Sequence, residues 1–122
     1  MFAILISMLD SATLPVIEKV YQIYKPLVII NSKVEKAHRY SLAAGTEQTV
    51  LVLLELLLSA SVAPKTHKSA YLVKAQSKMS ILQLKLRLYL ELELANPTKL
   101  FQLQSDLKEV GRMLGGWLRS VS

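Results

Sequence analysis

Basic side chains without acidic neighbours occupy one stretch of the sequence, between positions 65 and 87. The stretch contains six cations and no carboxylate: Lys65, Lys68, Lys74, Lys78, Lys85 and Arg87. Elsewhere the charges balance, with five basic and five acidic residues before position 65 and four of each after position 87, so the net charge of +6 belongs to this stretch. Ammonium and guanidinium groups attract phosphate. The stretch is therefore either a polyanion-binding surface or a solvated helix face, and both interpretations stay open.

Residue patterns for other chemistry are missing from the sequence. The two histidines, His38 and His67, do not have a metal-ligand spacing, and there is no cysteine for a disulfide, a thiolate or a metal site. Glu91 and Glu93 fall on opposite sides of a helix, about 200° apart, which does not suit a general acid and base. No phosphate-binding glycine loop, dinucleotide fingerprint or serine-hydrolase motif is present. We expect a protein that is not an enzyme and that has no cofactor and no metal.

Four helical segments account for the chain, and the sequence contains signals for their ends. Helix 1 opens after Thr13 with Pro15 in its first turn and runs to about Lys36, with a kink or a division expected at Pro26. The other three, each with the residue expected to cap it, run from Ser41 to about Val62, from Thr66 to about Ala95, and from Asn96-Pro97 to about Arg119. Short connections make neighbouring helices antiparallel. The predicted fold is an all-α, antiparallel up-down-up-down four-helix bundle over residues 14–121, preceded by an N-terminal extension, residues 1–13.

Helices 2 and 3 are too apolar for an isolated bundle. Apolar residues from Val50 to Leu58 cover nearly the whole circumference of helix 2, and a helix that is apolar all round is usually buried all round. Helix 3 has one apolar face for the core: Tyr71, Ala75, Met79, Leu82, Leu86 and Tyr89. Its second apolar face needs another surface: Ala70, Val73, Ile81, Leu84 and Leu88. We expect a homo-oligomer with Ile81, Leu84 and Leu88 in the interface.

Helix 4 ends in an unusual run of glycines, Gly111-Arg112-Met113-Leu114-Gly115-Gly116-Trp117. Glycine inside a helix costs about 0.5–1 kcal/mol relative to alanine, so it needs a compensating contact. Gly111 and Gly115 are four residues apart and share a face, which would let a neighbouring backbone approach closely. A phosphate-binding glycine loop would need a preceding strand and a following Lys-Ser/Thr. We therefore assign Gly111, Gly115 and Trp117 to packing or to the oligomer interface.

Two apolar segments are too short or too poorly flanked to direct the chain to a membrane. Met1 to Leu9 lacks a positively charged start and an Ala-x-Ala cleavage site, so a helix extension or a loosely ordered start fits better than a signal peptide. Val50 to Leu58 is broken by Glu55 and falls well short of the ~20 residues that span a bilayer. We expect a cytoplasmic protein with no membrane partner.

Three motifs together resemble one known family. They are Leu14-Pro15-Val16-Ile17-Glu18-Lys19-Val20-Tyr21 opening helix 1, Arg39-Tyr40-Ser41-Leu42 opening helix 2, and Glu109-Val110-Gly111-Arg112-Met113-Leu114-Gly115-Gly116-Trp117-Leu118 closing helix 4. The family joins the accessory variability determinant (Avd) of diversity-generating retroelements to proteins encoded in intervening sequences of large-subunit ribosomal RNA genes. The resemblance covers residues 14–120. Its last motif is the most specific and resembles the Avd branch more than the ribosomal one.

The resemblance implies a barrel-like homopentamer with a basic surface. It also implies binding to template RNA or cDNA and to the retroelement reverse transcriptase, in support of mutagenic copying. The nucleic-acid-binding candidates are the six cations of positions 65–87, with Lys74, Lys78 and Lys85 expected to extend their ammonium groups into water, and Arg39 in the loop before helix 2. The chain departs from the family pattern at Ala43 and Ala44, where the family often has glycine and a charged residue. An oligomeric structural or interaction protein is the alternative.

Overall fold

Four α-helices make up the part of the chain that a computed structural model describes, residues 13–122. Helix α1 is Thr13–Asn31, α2 is Lys36–Val62, α3 is Lys65–Glu91 and α4 is Pro97–Val121. Within these residues there is no strand, so the predicted all-α class is confirmed. Helices that follow each other in the chain pack together, and α4 returns to pack on α1, as in an antiparallel up-down-up-down bundle. The predicted extension, residues 1–13, lies outside the described residues apart from the first residue of α1.

The apolar faces of all four helices meet in one core. Each helix contributes a row of buried side chains, most of them spaced three or four residues apart, which is the spacing of one helix face. On α3 the row is Leu72, Ala75, Met79, Leu82, Leu86 and Tyr89, and on α4 it is Leu100, Leu103, Leu107, Val110, Leu114 and Trp117. The predicted core face of α3 is therefore confirmed, with Tyr71 at its half-buried edge.

The connection between α1 and α2 differs from the prediction. Helix α1 ends at Asn31 instead of Lys36, and Pro26 lies inside it without dividing it. Ser41, predicted to cap the second helix, lies within α2, because that helix already begins at Lys36 and contains a π-helical turn over Arg39–Ala43. The Arg39 guanidinium holds this start of α2 against the connection by donating to the backbone oxygen of Val34, 3.1 Å away.

The ends of α3 also differ from the prediction, whereas the start of α4 agrees with it. Helix α3 begins at Lys65 directly after Pro64, so Thr66 lies in its first turn and does not cap it. It ends at Glu91 instead of Ala95, because Glu93 adopts a left-handed conformation (φ 54°). The backbone N–H of Leu94 then reaches the oxygen of Tyr89 at 3.0 Å, the closing bond of a Schellman motif. Asn96 caps α4 as predicted, since its side chain accepts from the N–H of Thr98 at 2.8 Å.

A buried polar cluster ties α1, α2 and α3 together at the π-helical turn. Asn31 is only 3% exposed. Its side-chain nitrogen donates to the backbone oxygen of Ala43 at 3.1 Å and to Glu47 Oε2 at 2.9 Å, while its oxygen accepts from the Tyr89 hydroxyl at 2.5 Å. Burial raises the pKa of Tyr89, and hydrogen bonds with Thr46 and Asn31 partly oppose that shift. All polar atoms of the Asn31 side chain are thus paired inside the bundle.

Candidate nucleic-acid interface

The six cations of positions 65–87 all lie on α3, but they do not form one surface. An α-helix turns by about 100° per residue, which places Lys74, Lys78 and Lys85 within about 40° of one another. Lys65 and Arg87 lie on roughly the opposite side of the helix from these three lysines. Lys68 projects in the same direction as the buried row of α3. The helix therefore divides the basic segment into a strip of three lysines, two separate cations and one inward cation.

Lys68 and Lys85 are bound to backbone oxygens of α2, and we call them the anchored lysines. The ammonium of Lys68 donates to the oxygens of Ala60 and Ser61 at 2.8 and 3.0 Å, where α2 ends and its carbonyls lack helical partners. A lysine at this position also interacts favourably with the negative end of the helix dipole. Lys68 therefore stabilises the α2 terminus, and its availability for phosphate is reduced.

The second anchored lysine contradicts the expectation that its ammonium extends into water. Lys85 donates to the backbone oxygen of Gly45 at 3.1 Å and to the Thr49 hydroxyl at 2.9 Å, across the contact between α3 and α2. Burial, and then the positive charge of Lys78, lower the pKa of Lys85. These partners lie about 40 positions earlier in the chain, so the spacing of residues on α3 alone does not reveal them.

Lys65, Lys74 and Lys78 have no hydrogen bond or ion pair at their ammonium groups within residues 13–122, and we call them the free lysines. Lys74 is exposed and Lys78 is half-exposed. Arg87 instead pairs with Glu91 one turn later, at 2.9 Å. An exposed pair of this kind contributes little to stability and can exchange its carboxylate for a phosphate. Lys74 and Lys78 are thus the adjacent cations that this surface leaves available.

An uncovered apolar face borders Lys74 and Lys78 on α3. Val73, Ile81, Leu84 and Leu88 lie within about 80° of one another around the helix, and we call them the outer face. All four are exposed, with Leu84 at 62% and Val73 at 55%. The surplus apolar face expected from the sequence is therefore present on the single chain. A contiguous apolar surface of this kind is typical of an interaction site.

Helix α2 is apolar around its circumference but is not buried around it within the single chain. Val50, Leu53 and Leu57 are fully buried, whereas Leu51 is exposed and Glu55 lies on the outside. Within the described residues α2 is the one helix long and apolar enough to cross a membrane, and 33% of its most apolar window is buried. The apolar part of α2 is therefore longer than the run from Val50 to Leu58. Core helices of soluble proteins can be equally long and apolar.

Among residues 13–122, the glycines of α4 approach side chains and not the backbone of another helix. A Cβ added to Gly111 would lie 3.3 Å from the Cε of Met79 on α3, which is tight contact. A Cβ added to Gly115 would meet only the guanidinium of Arg119, 3.4 Å away on its own helix. Trp117 is buried in the core. Gly111 therefore fits closely against α3 within the chain, and the predicted interface role of Gly115 stays a prediction.

The side chains exposed on α3 are suited to binding another molecule. Among residues 13–122 there is no group of three or more metal-ligating side chains. The cations and apolar side chains of α3 can bind phosphate and a second apolar surface, respectively. They do not combine a nucleophile with a base.

The sequence model of the bAvd-like family matches residues 14–121, nearly the whole chain. No curated protein sequence matches the chain at a significant level. The family match covers the three motifs on which the resemblance to Avd proteins rests.

Proposed function

The chain belongs to the bAvd-like family, and from that premise we propose that it is a non-enzymatic accessory protein of a diversity-generating retroelement. In this proposal it works in the cytoplasm without a cofactor. It assembles into a homopentameric ring, binds template RNA or cDNA through its basic surface, and docks the reverse transcriptase that copies the template. The family membership supports the retroelement role, and the surface of α3 supports assembly and binding.

The observation that carries the proposal is that Lys74 and Lys78 lie next to the outer face on α3. Covering the outer face with a neighbouring subunit would remove apolar surface from water, which is the main driving force of association. Lys74 and Lys78 lie beside that face and would then be repeated around a ring at the borders between subunits. A ring of closely spaced cations suits a phosphodiester backbone, which it would contact without reading sequence.

Salt dependence of nucleic-acid binding tests the proposal. Each phosphate neutralised on a single strand adds about −0.7 to the slope of log K against log salt concentration. The wild-type ring is expected to show a slope of several units with a single-stranded RNA, measured by fluorescence anisotropy. The variant Lys74→Gln/Lys78→Gln should bind more weakly and with a flatter slope, because it loses two contacts per subunit.

A matched variant separates the local effect from the change in net charge. Lys99→Gln/Lys108→Gln removes the same charge from exposed positions on α4, and its slope should stay close to that of the wild type. If the Lys74→Gln/Lys78→Gln variant keeps both the wild-type affinity and the wild-type slope, this strip does not bind nucleic acid. The basic segment would then only solvate α3.

Gene neighbourhood tests the retroelement role separately from binding. A reverse-transcriptase gene and a pair of template and variable repeats are expected beside the coding sequence. A large-subunit ribosomal RNA gene at that place would favour the alternative function, an oligomeric structural or interaction protein of the rRNA intervening-sequence type.

A further inference from the structure

A groove of about 420 Å³ opens beside the π-helical turn, between the end of α1 and the first half of α2. Tyr24 and Val28 line it from α1, and Tyr40 and Glu47 line it from α2. π-Helical turns are rare and often occur at functional sites, because they change the direction in which side chains project. The groove is separate from the outer face of α3, and the binding surface proposed above does not use it.

The carboxylate of Glu47 is held in place by the buried polar cluster. Asn31 donates to Glu47 Oε2 at 2.9 Å, and Asn31 is itself fixed by Ala43 and Tyr89. Each hydrogen-bonding atom of the Asn31 side chain is used in these contacts, so its role at the groove is to orient Glu47. Within residues 13–122 no lysine, arginine or histidine lies within ion-pair distance of Glu47. The groove therefore contains an oriented carboxylate that can accept hydrogen bonds from a ligand.

Tyr40 provides an aromatic surface next to this carboxylate. It is 76% exposed, more than any other large apolar or aromatic side chain in the described part of the chain. An exposed ring beside a groove is a platform on which a nucleobase can stack. Tyr24 is half-buried and adds a second aromatic wall.

The charge around the groove distinguishes a nucleic acid from a basic peptide. Arg39 lines the groove and Lys36 lies in α2 four residues before Tyr40, and both cations are exposed. Such cations attract phosphate and repel an arginine- or lysine-rich segment of a protein. A ligand that contacts both these cations and Glu47 needs an anionic group next to the cations and hydrogen-bond donors next to the Glu47 carboxylate. A nucleotide meets this description.

We propose that the groove beside the π-helical turn binds an unpaired guanine of RNA or single-stranded DNA, with the base stacked on Tyr40 and its N1–H and 2-amino group donating to Glu47. Guanine is the base with two adjacent donors on its Watson–Crick edge, and a carboxylate accepts both. Arg39 then lies beside the flanking phosphate. This inference rests on the nucleic-acid binding proposed above and adds a base preference to it.

A comparison of guanine with inosine tests the inference, because inosine lacks the 2-amino group. The probes are two oligouridylates that each carry one central guanosine or one central inosine. Wild-type protein should bind the guanosine probe about tenfold more tightly, as expected for one additional hydrogen bond to a charged acceptor. Glu47→Gln should reduce that difference to less than about twofold, since the amide offers a weaker acceptor. The glutamine can still accept from Asn31, so the fold is preserved.

Aromatic variants test the stacking contact. Tyr40→Ala should weaken binding of both probes about tenfold, the size of one base–aromatic stacking contact, and Tyr40→Phe should restore it. Phe101→Ala is the matched control, because Phe101 is an exposed aromatic residue on α4 that does not line the groove.

The outcomes separate this inference from the proposed function. Equal affinity of the wild type for the two probes, together with a normal salt slope, would overturn the guanine site and leave the basic surface intact. Failure to bind either probe would overturn both proposals. An unchanged guanosine preference in Glu47→Gln would also overturn the assignment of Glu47.

Discussion

Two regions of the molecule reverse the usual distribution of polar and apolar groups. At the π-helical turn, polar groups lie inside the bundle around Asn31. On the outer face of α3, apolar groups lie outside. The difference is that the first region is complete within one protomer, since none of the buried side-chain polar atoms in the described residues lacks a hydrogen-bond partner. The second has nothing to cover it within residues 13–122.

This contrast indicates what each region contributes. A satisfied buried cluster favours one arrangement of helices, because every alternative leaves polar groups unpaired. An uncovered apolar face does not stabilise the protomer and gains free energy only when a second molecule covers it. Changes in the first region should therefore alter the stability of the bundle, whereas changes in the second should alter assembly.

The largest expected effect is the loss of assembly in Leu84→Asp. Leu84 is the most exposed member of the outer face, so the substitution is tolerated by an isolated protomer. In an interface it would bury a carboxylate without a partner, which is strongly unfavourable. Light scattering should give the protomer mass for this variant, with an unchanged helical circular dichroism spectrum.

A charge elsewhere on α3 provides the control for this variant. Gln76→Glu adds a negative charge at an exposed position outside the outer face and should leave the mass unchanged. An assembled Leu84→Asp variant would show that subunits associate through another surface.

The next largest effect is expected for Tyr89→Phe in the buried polar cluster. The substitution leaves the side-chain oxygen of Asn31 without its donor, and an unsatisfied buried group costs about 1–3 kcal/mol. The free energy of unfolding, measured by urea denaturation, should fall by that amount. The wild type and the variant are compared in the same association state. The mass should not change. A variant as stable as the wild type would show that the cluster does not stabilise the bundle.

The two glycines of α4 should respond differently to leucine. Gly111→Leu should overpack the contact with Met79 and lower the unfolding free energy by about 1–3 kcal/mol. Gly115→Leu meets only the flexible end of Arg119 and should raise the unfolding free energy of the single chain by about 0.5–1 kcal/mol, because leucine favours a helix more than glycine does. A reduced mass of the Gly115→Leu variant in solution would place Gly115 in the interface. If both variants keep the wild-type mass and melting temperature, neither glycine is needed for packing or assembly.

Features set by local geometry could be predicted from the sequence. The helical period of 3.6 residues was enough to separate the core face of α3 from its outer face, because each face depends only on residues of that helix. The Asn96-Pro97 start of α4 was predictable for the same reason, since the cap contacts lie within three residues. Avd-family membership followed from three local motifs.

Features set by contacts between distant residues could not be predicted in this way. Lys85 looks like a solvent-facing cation on a helical projection, yet it reaches Gly45 and Thr49 on α2. The π-helical turn of α2 is held by Asn31, whose side chain donates to Ala43, and the end of α3 depends on a left-handed Glu93 where glycine is usual. None of these residues has a local signal. The groove at Tyr40 and Glu47 was missed because its walls come from two helices.

The mass of the wild-type protein in solution tests most directly whether the outer face of α3 makes the protomer incomplete. Light scattering at micromolar concentration should give a multiple of the 13.7 kDa chain mass, five times that value for the proposed ring. A different closed ring would change only the number of subunits. A stable species of 13.7 kDa would contradict the proposed assembly, because the outer face would then be exposed to water in the functional protein.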